Sequence, residues 1–416
     1  MSLLLTPPPA DGRVRPAPAP ANVPHVIADD AEAIAVAHRL ASQFAPGAAR
    51  RDRERLLPWD ELDAFSASGL WATTVPREHG GAGVSGATLA EIIAIISAAD
   101  GSLGQIPQNH FYALEVLRVG GTPAQHAFFY QRALAGERFG NALAEIGHKD
   151  FKRRTRLTPD GNGFRVDGQK FYCTGALYAH WIPTLVVTQD NGRDVTWLAF
   201  VPRTAEGVSI TDDWDGFGQR VTGSGSVTFD NVRVEADWVV PFLASFERPT
   251  TIGPFAQLLH AAIDLGIGRG AFSATLPFVR KNARPWIDAG VANASDDPLT
   301  IHHVGEIQVR LRAAEALVRR AGRIVDAAQL TSDEQSVAQA SLAVAAARAA
   351  TTTASLLACT RLFELGGTSA TLDHQGLDRF WRNARTHTLH DPVRWKYHAV
   401  GNYHLNDKLP PRHGAI

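Results

Sequence analysis

The residues of this sequence that are best suited to chemistry lie close together near its C-terminal end. Arg379, Arg382 and Arg385 follow one another at three-residue spacing, and His387 and His390 form a second set with the same spacing between them. On a helix each set shares one face, because residues three apart are neighbours there. Taken singly, each arginine is most simply a solvent-exposed residue. The histidines could do chemistry, because an imidazole can donate or accept a proton near neutral pH. Their density favours a functional site, although the spacing does not name the ligand.

Two adjacent glycines, Gly366 and Gly367, precede this stretch at the end of an apolar pattern with helical spacing, and Thr368 follows them directly. Glycine allows a backbone to approach a ligand closely, and a helix break leaves N–H groups bare. At the other end of the stretch, Pro392 should stop a helix just beyond His390. The glycines, arginines and histidines therefore form one short segment that favours binding or catalysis.

The composition indicates an ordinary globular protein. The chain has 416 residues, of which 45% are hydrophobic and 20% charged, and this length suffices for two or three domains around sizeable cores. The net charge of −1 gives no general attraction for nucleic acid or an anionic membrane. Two cysteines, Cys173 and Cys359, form neither a disulfide framework nor a zinc pattern, so we expect no metal site and a reducing cytoplasm.

The first 24 residues are rich in proline and alanine, and we expect them to form a disordered arm. Their apolar run, residues 3–5, is too short for the core of a signal peptide and has no basic residue before it. No segment approaches the length and apolar character expected of a membrane span. These observations also favour a cytoplasmic protein with no membrane partner.

The rest of the chain changes character twice, which predicts an α+β fold. Residues 25–138 show apolar residues at helical spacing and predict an N-terminal helical domain. Residues 139–245 contain short β-favouring runs separated by turn residues, and they predict a small antiparallel barrel or sandwich of about eight strands. Residues 246–416 predict a four-helix bundle, with helices over residues 255–282, 301–328, 333–365 and 374–406.

These segments, in this order, resemble the acyl-CoA dehydrogenase superfamily, whose middle domain is an antiparallel β-barrel. The glycine pair followed by residues 378–385 is similar to the C-terminal flavin-site stretch of that superfamily. Residues 382–392 more specifically resemble its flavin-dependent monooxygenases, such as those that oxygenate thiophenes and sulfones. The resemblance covers nearly everything after the arm, and it implies a homotetramer with flavin sites at subunit contacts.

The resemblance also implies a flavin site in the middle domain, where residues 141–145, 172–176 and 214–225 look like its flavin contacts. An isoalloxazine ring needs hydrogen-bond partners at its polar edge and an apolar or aromatic wall. We expect the polar atoms to come from Asn141, Thr174, Thr222 and Ser224, and the wall from Trp214.

The phosphate end of the cofactor is expected to meet an arginine from a neighbouring subunit. Arg284 is the best match for that arginine and Arg280 the second, although favourable positive charge at a helix C-terminus would also explain them. The other expected cofactor-binding residues are Gly366, Gly367, Thr368 and Arg385.

The reaction depends on which group handles protons near the flavin. An acyl-CoA dehydrogenase needs a carboxylate base, which in common members follows the arginine-rich run. The one carboxylate of this segment, Asp391, stands beside a proline. Histidine better suits a reduced flavin that reacts with O2, because the resulting C4a-(hydro)peroxide needs a dry pocket and a proton-handling group. In the resembling monooxygenases one such histidine comes from each helical domain. The candidate catalytic residues are therefore His110, His390 and His387, with Asn141 and Thr174.

We therefore expect a two-component monooxygenase that oxygenates a small apolar substrate, with a sulfur compound as the best choice. No G-x-G-x-x-G fingerprint stands between a strand and a helix, so a separate reductase is expected to supply reduced FMN, which is favoured over FAD. The alternatives are an FAD-dependent acyl-CoA dehydrogenase or oxidase, an aromatic or amine hydroxylase of the same fold, and a catalytically silent member that binds no flavin.

Overall fold

The computed structural model describes residues 24–147 and 152–416, so the predicted arm lies outside the described residues except for Pro24. Six helices form the N-terminal part: α1 (Asp30–Phe44), α2 (Ala48–Glu54), α3 (Trp59–Ala67), α4 (Gly86–Ala99), α5 (Gly101–Gly120) and α6 (Pro123–Leu134). The Asp100 carboxylate accepts hydrogen bonds from two N–H groups at the start of α5 and fixes where this helix begins. Residues 101–117 of α5 are all buried, so this helix can bring polar side chains into the interior.

The middle part is a seven-stranded sheet: β1 (Arg156–Asp160), β2 (Gly163–Lys170), β3 (Trp181–Asp190), β4 (Arg193–Pro202), β5 (Val208–Thr211), β6 (Ser226–Glu235) and β7 (Val239–Pro241). The strand order is β5-β6-β2-β1-β3-β4-β7. Tight turns between β1 and β2 and between β3 and β4 give antiparallel pairs, and the crossover from β2 to β3 places β3 parallel to β1.

The prediction of a closed antiparallel barrel of about eight strands is wrong. The sheet is mixed and open, since β5 and β7 lie at opposite edges and do not pair with each other. The first predicted strand, within residues 141–146, makes only isolated bridges, Ala142 with Thr184 and Ala144 with Phe171. This segment therefore runs along the sheet without becoming one of its strands, and it leaves Asn141 outside the regular ladder.

The C-terminal part contains a short helix, α7 (Ala244–Glu247), three long ones, α8 (Ile252–Asn282), α9 (Pro298–Leu330) and α10 (Glu334–Gly366), and two shorter ones, α11 (Asp378–His387) and α12 (Arg394–Asn406). The predicted continuous helix over residues 374–406 is wrong, because α11 ends before Pro392 and α12 begins after it. The break leaves His390 on the connection between these two helices.

One apolar core joins the two helical parts, and a second one lies within the sheet. The helix α10 belongs to the first core and packs against α8 and α9. By length and composition α10 is apolar enough to cross a membrane, contrary to the expectation from sequence, but 67% of its most apolar window is buried inside the protein. A buried core helix of this kind passes the same test, so the finding is weak evidence for a membrane span.

Candidate active site

Three of the hydroxyl groups expected from sequence meet in the buried interior. Ser224 Oγ lies 2.7 Å from Thr174 Oγ1 and 2.7 Å from Thr222 Oγ1. Thr222 donates its own hydroxyl proton to the carbonyl of Gln219, at 2.9 Å. Since each hydroxyl has a single proton, Thr222 accepts from Ser224 and Ser224 accepts from Thr174. This hydroxyl chain therefore ends at the Thr174 oxygen, which keeps acceptor capacity for a ligand.

Trp214, the expected aromatic wall, is linked to the hydroxyl chain. The Trp214 indole N–H donates to the Gln219 carbonyl at 2.9 Å, so one carbonyl oxygen accepts from both Trp214 and Thr222. Gln219 itself has a φ of 49°, in the left-handed region. Its N–H donates to Asn383 Oδ1 on α11 at 2.6 Å, and its side-chain amide donates to the Gly101 carbonyl on α5 at 3.3 Å. The loop that carries Trp214 is therefore bound to both helical parts.

Asn141 supplies a further acceptor. Its Oδ1 is buried and has no hydrogen-bond partner among the described residues. A buried acceptor without a donor is unfavourable, so this position suits a ligand that carries an N–H or O–H group. The isoalloxazine ring of a flavin carries such groups, and the acceptor end of the hydroxyl chain is suited to the same purpose. The polar residues of the middle domain thus fit the expected cofactor.

The two positions at the end of α10 favour glycine for different reasons. A Cβ on Gly366 would lie 2.7 Å from the Cβ of Ala370, so packing excludes a side chain there. Gly367 has a φ of 66°, and a Cβ on it would meet nothing within 4 Å. Its conformation favours glycine while its surroundings are open. Gly367 and the exposed Thr368 therefore present backbone that a ligand can approach.

The expected arginines fall into two groups. Arg382 is held by Asp52 and Asp378 and donates to the Phe217 carbonyl at 2.7 Å, which indicates a structural role. The Arg385 side chain forms no hydrogen bond or ion pair within the described part of the chain, and Arg284 stands exposed just past the end of α8. These two guanidinium groups remain available for a phosphate.

A compact group of histidines lies where α8 passes the end of α11. His260 Nδ1 lies 3.1 Å from His387 Nε2, and His387 Nδ1 lies 2.5 Å from Asp264 Oδ1. His390 Nδ1 lies 2.9 Å from the His387 carbonyl. Asp264 also pairs with Arg348 and accepts from the Thr352 hydroxyl at 2.9 Å. We call these three imidazoles, His260, His387 and His390, the histidine cluster.

Burial disfavours protonation of the histidine cluster. It lowers the pKa of His260 and of His387 well below the usual value, and the positive charge of Arg348 adds to both shifts. Burial also raises the pKa of Asp264, while Arg348 and Thr352 oppose that rise and keep its carboxylate an acceptor. His390 reaches the surface, but its ring packs 4.9 Å from each of the other two.

The hydrogen bonds fix the tautomer of each ring. His387 carries its proton on Nδ1 because it donates to Asp264, so its Nε2 accepts from Nδ1–H of His260. His390 carries its proton on Nδ1 because it donates to a carbonyl. The nitrogens of the three rings approach within 4.8 Å, a spacing that a metal ion could bridge, yet Nε2 of His387 already accepts a hydrogen bond from His260. The arrangement leaves unprotonated Nε2 atoms on His260 and His390.

The structure does not bring His110 into this cluster by any contact in the described residues. Its Nε2–H donates to the Trp71 carbonyl at 2.7 Å, and its Nδ1 accepts from the Phe139 N–H at 3.1 Å. Complete burial lowers its pKa to about 3. Both ring nitrogens are therefore occupied by backbone groups, which favours a structural role for His110 in joining α5 to the start of the middle domain.

Sequence reasoning missed three residues of the site: His260, Asp264 and Gln105. The first two stand four residues apart on the otherwise apolar α8, and this pair of polar residues on one face was a usable signal. Gln105 lies on α5, with its side-chain nitrogen 3.3 Å from His390 Nε2. Nothing in its sequence neighbourhood distinguishes it from the other polar residues of α5.

Comparison with known proteins identifies the class first: the chain belongs to the acyl-CoA dehydrogenase family. Residues 30–137, 147–232 and 258–395 match the N-terminal, middle and C-terminal domains of acyl-CoA dehydrogenases. Within this family the chain is a reduced-flavin-dependent monooxygenase, and the resemblance found in the sequence is confirmed.

The similar proteins are matched over nearly their whole length. The chain is 35% identical to dibenzothiophene monooxygenase of Rhodococcus erythropolis, covering 92% of this chain and 95% of the relative. It is 34% identical to a probable FMNH2-dependent monooxygenase, SfnC, of Pseudomonas putida, covering 94% and 98%. The FMN-bound structure of TdsC from Paenibacillus sp. A11-2 superposes with a TM-score of 0.88 at 33% identity, covering 92% and 100%. These relatives support FMN as the cofactor.

Proposed function

We propose that this protein uses reduced FMN and O2 to oxygenate a small, largely apolar sulfur compound. The observation that carries the proposal is the neutral histidine cluster, which stands at the end of α11, where the dehydrogenase alternative requires a carboxylate base. The nearby Asp391 accepts a hydrogen bond from Gln257 at 2.8 Å through one of its carboxylate oxygens. Relatives that act on dibenzothiophene favour sulfur as the oxidised atom.

We assign the following roles to the chain's own residues. Asn141, Thr174, Thr222, Ser224 and Trp214 would hold the isoalloxazine ring, and Arg284, Arg385 and the backbone at Gly366, Gly367 and Thr368 would hold the phosphate end. When bound, reduced FMN supplies the electrons that activate O2. His390 exchanges a proton at Nε2 next to the substrate, and the buried His387 orients it through a backbone carbonyl. The apolar interior excludes water from these groups.

The assembly is part of the proposal. We place the enzyme in the cytoplasm as a homotetramer, supplied with FMNH2 by a separate reductase. Exposed apolar side chains on and next to the C-terminal helices, such as Trp286, Ile287 and Val309, support contacts between copies of this chain. Arg284 lies beside the first two, where a neighbouring subunit would bring its cofactor phosphate.

The decisive experiment is reconstitution of the purified protein with FMN, NADH and a flavin reductase under 18O2. Transfer of one 18O atom to dibenzothiophene or to an alkyl sulfinate would support sulfur oxygenation. Transfer of 18O only to an aromatic or amine substrate would change the proposed substrate class but would still support a monooxygenase reaction. Bleaching of bound FAD by an acyl-CoA, with no oxygenated product, would reject the proposal in favour of a dehydrogenase. Failure to bind flavin in either redox state would indicate the silent alternative.

Removal of the central hydroxyl of the chain is expected to weaken flavin binding. Ser224→Ala disconnects Thr174 from Thr222, so the Thr174 hydroxyl is no longer oriented toward the cofactor. We expect the dissociation constant for FMN, measured by fluorescence quenching, to rise about tenfold, the effect of one lost hydrogen bond. Thr184→Val is the matched control, since the buried Thr184 hydroxyl donates to Ile182 within β3. Equal affinities of the two variants would exclude the hydroxyl chain from the flavin site.

Loss of the Arg284 guanidinium is expected to reduce FMN affinity more strongly. A hydrogen bond to a charged group is worth about 1.5–3 kcal/mol, which corresponds to roughly 10- to 100-fold in the dissociation constant. Arg284→Ala should therefore bind FMN weakly but bind riboflavin, which lacks the phosphate, as the wild type does. Arg193→Ala, which removes an exposed arginine of the β3–β4 turn, serves as the control. An unchanged FMN affinity would exclude Arg284 from the phosphate site and leave only its role as a favourable positive charge at the C-terminus of α8.

A further inference from the structure

The side chain of Gln105 faces His390 from the opposite side of the site. It is 2% exposed, and its amide nitrogen lies 3.3 Å from His390 Nε2. The residue belongs to α5, whereas His390 follows α11, so the contact joins two helical parts of the protein. Gln105 is therefore held next to the nitrogen that the proposed function uses for proton exchange.

The orientation of the Gln105 amide follows from the tautomer of His390. The neutral imidazole has one proton, and the contact of Nδ1 with the His387 carbonyl requires that proton, so Nε2 has only a lone pair to offer. The partner of Nε2 must therefore be a donor. The NH2 group of Gln105 faces His390, and its Oε1 faces the other way. The reversed amide would place two acceptors against each other.

The Gln105 oxygen is left without a donor. Oε1 is buried and has no hydrogen-bond partner among the described residues. Buried acceptors are nearly always satisfied, and a site that keeps one open discriminates strongly between ligands that can and cannot donate to it. The open acceptor belongs to the same amide group whose nitrogen contacts His390, so it lies close to a ligand bound beside that imidazole.

We propose that Gln105 determines substrate specificity by accepting a hydrogen bond from an N–H or O–H group of the substrate. The preferred substrates are then small, mostly apolar sulfur compounds that also carry a hydrogen-bond donor near the sulfur, and compounds without such a donor bind more weakly. This inference rests on the proposed function for the location of the substrate, and it narrows the substrate class.

The test compares two ligands of nearly equal shape, indole and benzothiophene, which place N–H and sulfur at the same ring position. Their dissociation constants are measured by calorimetry on the protein saturated with oxidised FMN, so no turnover is needed. One neutral hydrogen bond predicts about tenfold tighter binding of indole. Equal affinities, as expected if water fills the acceptor, or tighter binding of benzothiophene would overturn the inference. This comparison on the wild type does not depend on the folding of any variant.

A variant locates the effect. Gln105→Met keeps the approximate size of the side chain and removes the acceptor, so the indole preference should fall to near one. Gln125→Met is the matched control, because this buried glutamine donates to the Asp237 and Val239 carbonyls, away from the histidine cluster, and should keep the preference. If the Gln105→Met variant still preferred indole, the preference would have to come from another residue. Because 18O transfer is measured separately, failure of the proposed reaction and failure of this assignment give different results.

Discussion

Replacement of His390 by alanine is expected to separate flavin oxidation from product formation. The variant should bind FMN as the wild type does, since His390 is not one of the residues that we expect to contact the flavin. It should consume FMNH2 and O2 yet release hydrogen peroxide, because the group that exchanges a proton beside the substrate is missing. General acid–base groups contribute about 100- to 10,000-fold, so product formation should fall by at least 100-fold.

The measurement is the ratio of oxygenated product to hydrogen peroxide at a fixed rate of FMNH2 supply. His38→Ala, which removes an exposed histidine of α1, is the control for nonspecific effects of losing an imidazole. His390→Gln is informative as well, since an amide can make the contact with Gln105 but does not titrate. A product yield that survives in His390→Ala would remove His390 from the mechanism.

The second large effect is expected at Asp264, which touches neither cofactor nor substrate in our proposal and acts as a positioning residue. Asp264→Asn removes the negative charge between Arg348 and His387 and places an N–H group against one of two donors. A buried ion pair that loses one partner costs about 3–5 kcal/mol. We expect this loss in the free energy of unfolding, together with uncoupling similar to that of His390→Ala, because the Asp264 carboxylate no longer holds His387, whose backbone carbonyl orients His390.

A double replacement distinguishes positioning from stability. Hydrophobic groups of similar volume can replace a buried ion pair without loss, so Asp264→Leu combined with Arg348→Met should recover much of the unfolding free energy. The same variant should remain uncoupled, because Leu cannot accept from His387. Denaturation midpoints at one protein concentration and product-to-peroxide ratios give the two quantities. Recovery of both together would show that Asp264 serves only the stability of the fold.

Much of this architecture could be predicted from the sequence because it depends on local periodicity. The helical and β-favouring segments occur in the predicted order, and Thr174, Thr222 and Ser224 come together as expected from the resemblance. Local periodicity could not predict whether the sheet closes into a barrel. Closure depends on whether β5 and β7 meet, which is set by strand twist and crossover geometry rather than by any local pattern.

The residues expected to exchange protons show a second limit of prediction from sequence. His110 and Gln105 stand five residues apart on α5, and the histidine is the more reactive type. The structure nevertheless satisfies both nitrogens of His110 with backbone groups and places Gln105 against His390. Residue type alone favours His110 as a site residue whereas the contacts favour Gln105, because the direction of each side chain depends on how α5 packs. His260 and Asp264 depend in the same way on the packing of α8.

The contacts of Gln219 have a consequence for how the enzyme acquires its cofactor. One residue of the middle domain holds Trp214 and Thr222 through its carbonyl, and it is itself held by Asn383 and by the Gly101 carbonyl. An isolated middle domain would have the flavin-facing side chains but not their placement. In our proposal, binding of FMNH2 therefore requires that both helical parts are docked against the middle domain.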